Sequence, residues 1–322
     1  MRQVAVADIG GTHARFAIAE LRGAEVVSLG DTVELKTAEH ATFERAWQEF
    51  GHRVGLDLPK ELAVAFAGPV HEPTLKLTNS SWVIEPALIK ERLGVDRYLI
   101  LNDFSAVAHA VASLRPEDFR HLCGPEKIEP ELGVTAIVGP GTGLGVAALL
   151  RKTDRYEVIE SEGGHMDFAP LDPLEDKIIA LLRLRFGRVS VERIAAGQGL
   201  RNLYEALGAI EGVVLNLNDD HLLWEAALEG TDSLATLALN RLCMSLGSVS
   251  GDFALAFGAR SLVIAGGVGR RLIDHLPQSR FRERFIAKGR FDRRMEKIPV
   301  KIIRHPQPGL FGAAAAFAKQ HA

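Results

Sequence analysis

Val4-Ala5-Val6-Ala7-Asp8-Ile9-Gly10-Gly11-Thr12-His13-Ala14-Arg15-Phe16-Ala17-Ile18-Ala19 decides how the rest of the chain is read. A run of small and branched apolar residues ends in an aspartate. Two glycines and a threonine then turn the chain, and Phe16 to Ala19 leaves apolar again, which spells strand, tight turn, strand. Glycines let backbone approach a ligand closely and offer N–H groups to anionic oxygens, while Asp8 beside them can hold a metal ion or its water. The turn suits a metal-bound phosphate, although a plain glycine hairpin with a solvated aspartate reads the same from these residues alone. It is neither Gly-x-Gly-x-x-Gly nor a Walker A loop, which needs Gly-Lys-Ser/Thr and a following helix.

The same pattern returns at Thr135 to Leu150, where Ile137-Val138-Gly139-Pro140-Gly141-Thr142-Gly143-Leu144-Gly145-Val146 carries a strand into a glycine and threonine turn and out again. The two hairpins, Asp8 to Ala19 and Val138 to Leu150, form a loose internal repeat. Two similar domains closing on a shared nucleotide would place such turns on opposite sides of its phosphates. Ser261 to Gly269 is a buried strand ending in Gly266 and Gly267, a third place where a nucleotide can lie against backbone.

With 322 residues, 47% hydrophobic and 25% charged, the chain is globular and long enough for about two domains. A formal net charge of −3 leaves no basic excess for nucleic acid or an anionic membrane. The basic stretch Arg280 to Arg294 is interleaved with Glu, Asp and Phe and reads as a solvated helical face. Cys123 and Cys243 are far apart and make no Cys-x-x-Cys pair, so neither a disulfide framework nor a thiolate zinc site is indicated. The absence of an apolar leader or a bilayer-length apolar run points to a soluble cytoplasmic protein.

Along the chain, Glu25 to Leu35 reads as a third strand of the opening meander and Thr42 to Gly55 as a helix. Leu62 to Ala67 is a buried strand running into the Gly68-Pro69 turn. Thr78-Asn79-Ser80-Ser81-Trp82 reads either as a capped loop or as a sugar contact. Arg97 to Leu101 is a strand that delivers Asn102 and Asp103 at its carboxyl end, where ligands gather in open α/β sheets. Asp103 is a candidate general base, and a helix N-cap explains the residue equally well. Arg115 to Gly133 reads as a polar inter-domain connection. In Glu162-Gly163-Gly164-His165, acid, glycines and imidazole can converge on one polar ligand, or the histidine can be structural. Ser190 looks like a helix cap, with Glu192 its third-residue partner or a ligand contact.

Asp-Ile-Gly-Gly-Thr at 8 to 12, Leu-Asn-Asp-Phe at 101 to 104, Gly-Pro-Gly-Thr-Gly-Leu-Gly at 139 to 145, Glu-Gly-Gly-His at 162 to 165 and Ala-Gly-Gly at 265 to 267 together resemble the bacterial ATP-dependent glucokinase family. The resemblance spans essentially the whole chain, including Lys288 to Phe291 and Pro308 to Gly312. It implies an α/β fold of two ribonuclease-H-like domains around a central cleft, as in actin, the hexokinases and the heat-shock chaperone ATPases. The domains expected are residues 1–110 with 305–322, and 111–304. It implies transfer of the γ-phosphoryl group of ATP to the 6-hydroxyl of glucose, with Asp103 as the base. Asn102, Glu162, His165 and Glu192 are similar to the family's glucose ligands, and Asn79 to a floor of the sugar pocket. Asp8, Gly10, Gly11 and Thr12 resemble one phosphate loop, with Asp8 the Mg2+ contact. Gly141, Thr142 and Gly143 resemble the other, and Gly266 and Gly267 the adenosine contact. A homodimer is implied by the same resemblance.

Where many relatives carry Asn this chain has His13, and where they carry His it has Ser80, which touches the outer contacts of those loops. The zinc-binding cysteine cluster of the related repressor and kinase branch is absent, and a DNA-reading module is not expected. A kinase of another hexose, such as fructose, mannose or an N-acetyl amino sugar, is the alternative, since a fold does not fix its substrate.

Overall fold

In the computed structural model, which describes residues 1–55, 57–77, 80–126 and 132–322, the chain divides into two compact units. The first comprises Met1–Arg115 and His305–Ala322, the second Pro116–Arg304.

The first unit is built on strands β1 (Arg2–Ile9), β2 (His13–Arg22), β3 (Glu25–Leu29), β4 (Val33–Lys36), β5 (Glu61–Phe66), the short pair β6 (Leu75–Lys76) and β7 (Val83–Ile84), and β8 (Arg97–Asn102). Its main sheet runs β3-β2-β1-β5-β8, with β4 also on β2. β1 and β2 are antiparallel, while β1, β5 and β8 are parallel. The parallel register sets Ile9 beside Phe66 and Phe66 beside Asn102, so the carboxyl ends of these strands lie at one edge.

β1 is buried on both faces, and its period-two alternation sorts two cores. Ala5, Ala7 and Ile9 pack with Phe16, Phe43, Phe50 and Trp82. Val4 and Val6 pack with Leu310, Ala313, Ala314 and Phe317 of the helix Pro308–Gln320. The meander strand expected over Glu25 to Leu35 is instead two strands, because Gly30 turns against β2: its N–H donates to the Ile18 carbonyl at 2.9 Å. The helix Phe43–Val54 has Thr42 as its N-cap and closes on Gly55 in the left-handed region, φ 67°.

The second unit repeats the plan with β9 (Phe119–Cys123), β10 (Gly133–Pro140), β11 (Leu144–Arg151), β12 (Tyr156–Ser161), β13 (Ser261–Ile264) and β14 (Val300–Ile303), in the order β12-β11-β10-β13-β14-β9. Again an antiparallel hairpin, β10 with β11, is extended by parallel neighbours, β13 and β14. β9 corrects the expectation of a polar connection over Arg115 to Gly133: this edge strand pairs antiparallel with β14 and buries Leu122. Its five residues between prolines and glycines are too few to show a clear alternation in sequence.

Helices Pro173–Phe186, Gly197–Glu211, Asp220–Glu229 and Ser233–Ala256 cover the second sheet, and three of them start on the aspartate caps Asp172, Asp219 and Asp232. The stretch Arg280 to Arg294 is not one solvated helical face. Arg284 turns inward to pair with Glu175, and Lys288 is buried with its Nζ 2.7 Å from Asp252 Oδ1. Among the described residues no helix is long and apolar enough to cross a membrane.

Candidate active site

In the first unit, the turn after β1 is pinned from behind by a residue that no sequence pattern singled out. Thr37, itself buried, donates its hydroxyl to the Gly11 carbonyl at 2.7 Å and its N–H to the Thr12 carbonyl at 3.0 Å. The Gly10 N–H donates to the His13 carbonyl at 2.9 Å. With its carbonyls held, the turn is a fixed piece of backbone, the condition a phosphate cradle requires. Asp8 is the second-last residue of β1, beside it. Enclosure of its carboxyl by protein pushes its pKa up, and the Arg15 guanidinium across the hairpin pulls it partly back. An anion so placed lacks a full counter-charge.

At the end of β8, Asn102 and Asp103 divide the work. Asn102 is the N-cap of the helix Asp103–Ser113: its Oδ1 accepts from the N–H groups of Phe104 at 2.9 Å and Ser105 at 3.1 Å. Its Nδ2 donates to the Gly68 carbonyl at 3.4 Å, which ties the Gly68-Pro69 turn to the same edge. Asp103 is the first helical residue, and its Oδ1 accepts from Phe104 N–H at 2.8 Å. The cap belongs to Asn102, so capping does not account for the carboxylate at 103. Asn79 lies outside the described residues.

In the second unit the acid, imidazole and acid are brought together. His165 Nδ1 is 3.6 Å from Glu192 Oε1 and its Nε2 is 4.0 Å from Glu162 Oε2. Glu192 is largely enclosed, with its side chain 16% exposed, whereas Glu162 and His165 face solvent. The segment holding them is stitched to its neighbour: Arg188 Nη1 donates to the His165 carbonyl and to Asp167 Oδ1, each at 2.7 Å, and Val191 N–H donates to the Met166 carbonyl. Ser190 is not a cap, as its spacing suggested. It bridges backbone to backbone with Asp167, and the short helix Glu192–Ala195 begins without a side-chain cap.

The second glycine turn touches this cluster. A Cβ on Gly143 would stand 2.8 Å from Glu192 Oε2, so only glycine lets the acid approach. The turn is closed by Gly141 N–H to the Gly143 carbonyl and fastened to the start of the helix Gly197–Glu211 by Gly197 N–H to the Gly141 carbonyl, both 2.8 Å. Gly266, φ 77°, backs onto the same turn, where a Cβ would meet the Pro140 carbonyl oxygen at 2.5 Å, while Gly267 faces open space. Gly141 to Gly143, Gly266 and Gly267 thus surround one patch of exposed backbone. The structure therefore groups Asp8, Gly10, Gly11, Thr12, Asn102 and Asp103 on one sheet edge of the first unit, and the remaining described candidates on the second. Thr37 and Arg188 are the anchoring residues that motif and spacing did not reveal.

The glucokinase family model matches residues 5–321. The chain belongs to the glucokinase family. It is 59% identical over 319 residues to the glucokinase of Zymomonas mobilis, covering 99% of this chain and 98% of that protein. It is 42% identical to the glucokinase of Caulobacter vibrioides over 97% of this chain and 94% of the relative. The solved glucokinase of an Antarctic psychrotroph superposes with a TM-score of 0.86 at 32% identity, covering 99% of each chain. The family's fold, two ribonuclease-H-like α/β units, is the one described above.

Proposed function

We propose that this protein phosphorylates glucose at its 6-hydroxyl with ATP, and that the residues just described do the chemistry. The observation that supports the reading most directly is the Glu162, His165 and Glu192 cluster held against the Gly141 to Gly143 turn. Acceptors of this kind suit a polyol, whose hydroxyls both donate and accept, and a phosphate-compatible turn is built into the same structure.

In the first unit we assign Asp103 the role of base. It takes the proton of the 6-hydroxyl as that oxygen attacks the γ-phosphorus, and the electron pair of the breaking bond leaves on the β-phosphate oxygen. Asn102 fixes the helix that presents Asp103 and offers its amide to the sugar. In the second unit Glu162, His165 and Glu192 bind sugar hydroxyls, so an epimer leaves one of these groups unpaired and is rejected. The turn at Gly10, Gly11 and Thr12 and the turn at Gly141, Thr142 and Gly143 cradle phosphates, and Gly266 and Gly267 lie against the adenosine.

Among the described residues no three His, Cys, Asp or Glu side chains are placed to hold a metal ion. Mg2+ is commonly bound by one or two carboxylates, waters and substrate phosphates rather than by a protein cage. The under-compensated Asp8 carboxylate fits such a partner. Bound there, directly or through water, Mg2+ would neutralise charge on the β- and γ-phosphate oxygens. A cytoplasmic homodimer completes the reading.

The test is ADP release measured side by side with glucose, fructose, mannose and N-acetylglucosamine, with sizing chromatography on the same preparation. The highest kcat/KM is expected with glucose. A higher value with another of these sugars would transfer the assignment to that hexose, and no ADP release with any would overturn it.

A further inference from the structure

We propose that Gly309, in the first turn of the helix Pro308–Gln320, is a positioning residue for Asp8: the space its missing side chain leaves is the space that the Asp8 carboxylate needs. The inference rests on the assignment of Asp8 to the phosphate site.

Asp8 follows Val4 and Val6 on one face of β1, the face on which those valines pack against Leu310, Ala313, Ala314 and Phe317. The helix therefore runs along the strand with its N-terminal turn at Asp8. A Cβ built on Gly309 would stand 2.6 Å from Asp8 Oδ2 and 3.0 Å from Cγ, well inside van der Waals contact. Neither backbone can step aside cheaply, so an added methyl displaces the Asp8 carboxylate itself. β1 is held between β2 and β5, and three residues along the helix Gly312 lies so close to the Ala106 carbonyl that no Cβ fits there either.

Conformation does not explain the glycine. Gly309 is not among the positive-φ glycines, it sits inside a helix where alanine is the better former, and Pro308 already starts the helix. Close approach does explain it.

The experiment is Gly309→Ala in the full-length protein. Thermal melting without ligands should be unchanged or raised, because alanine strengthens the helix. Glucose affinity, followed by intrinsic fluorescence, should stay within about twofold. kcat should fall by roughly 10²-fold, the scale on which a displacement of most of an ångström acts. Calorimetric affinity for a non-hydrolysable ATP analogue with Mg2+ should weaken. A kcat within about threefold of the parent, or a kcat loss matched by equal losses in melting temperature and glucose binding, would overturn the proposal.

Asp8→Ala supplies the control, since with the carboxylate gone the added methyl has room. Gly309→Ala should then cost nothing further in kcat, and if the single variant does not fold, the double variant should. Additive losses, or a double variant that also does not fold, would overturn the proposal. An Asp8→Ala protein with parental turnover would instead refute the phosphate-site assignment of Asp8 on which it rests.

Discussion

Asp103→Asn separates the two roles that a carboxylate at the start of a helix can play. The structure gives the cap to Asn102, whose Oδ1 holds the Phe104 and Ser105 amides, while Asp103 Oδ1 accepts from Phe104 N–H at 2.8 Å. An asparagine at 103 keeps an oxygen for that amide and keeps the shape. What it loses structurally is one negative charge near the helix N-terminus, about 0.3–1 kcal/mol. The melting temperature should therefore move by no more than about 2–4 °C. As the proposed base it loses the ability to take the 6-hydroxyl proton, and general-base catalysis contributes about 10²–10⁴-fold. That is roughly 3–5 kcal/mol of barrier, several times the structural term. kcat at saturating glucose should thus fall by at least about 10²-fold with a modest change in KM. Steady-state kinetics by coupled ADP detection, with melting followed by circular dichroism, reads both quantities. Asn102→Ala is the comparator, and it should lower stability by about 1 kcal/mol as a lost cap. An Asp103→Asn protein with kcat within about threefold of the parent would refute the assignment of the base.

His165→Ala and Glu192→Gln should act mainly through KM for glucose, each by about 1–3 kcal/mol, with the larger effect at the more enclosed Glu192. Unchanged KM in both would remove the cluster from the sugar site. Burial, with the Lys319 ammonium nearby, holds the His109 imidazole down at about 4, so the unfolded chain binds a proton below pH 6.5 that the folded one refuses. Stability should fall as pH drops from 6.5 toward 4, by up to roughly 3 kcal/mol, and urea midpoints should show a shallower fall in His109→Gln. In the second unit, buried Glu175 pairs with Arg284 and lies 3.8 Å from Arg241 Nη1. Glu175→Ala leaves both arginines to Asp172, whose Oδ2 lies 2.5 Å from Arg241 Nη1 and 3.7 Å from Arg284 Nη2, and should cost about 1.5–3 kcal/mol by chemical denaturation.

What was legible in the sequence is what has a short period or a local grammar. Both hairpins, the strands delivering Asn102 and Gly266, and the helix Phe43–Val54 could be read because alternation, glycine turns and caps act over a few residues. Interactions over long separations could not. β9 exists because β14, far along the chain, offers it an edge. Thr37 supports the first turn from 26 residues away, and Gly309 meets Asp8 across nearly the whole chain. Arg284 was assigned to solvent because a charge run carries no sign of the Glu175 that pairs with it. The site follows the same division. Residue types identified its chemical groups, but the sequence left Asp103 open between cap and base, because Asn and Asp cap equally well and stand side by side. The fold resolves the cap through one hydrogen-bond pattern. Asn102 takes the cap, so the carboxylate beside it, at the carboxyl end of the edge strand β8, needs another explanation, and the proton acceptor proposed above is one.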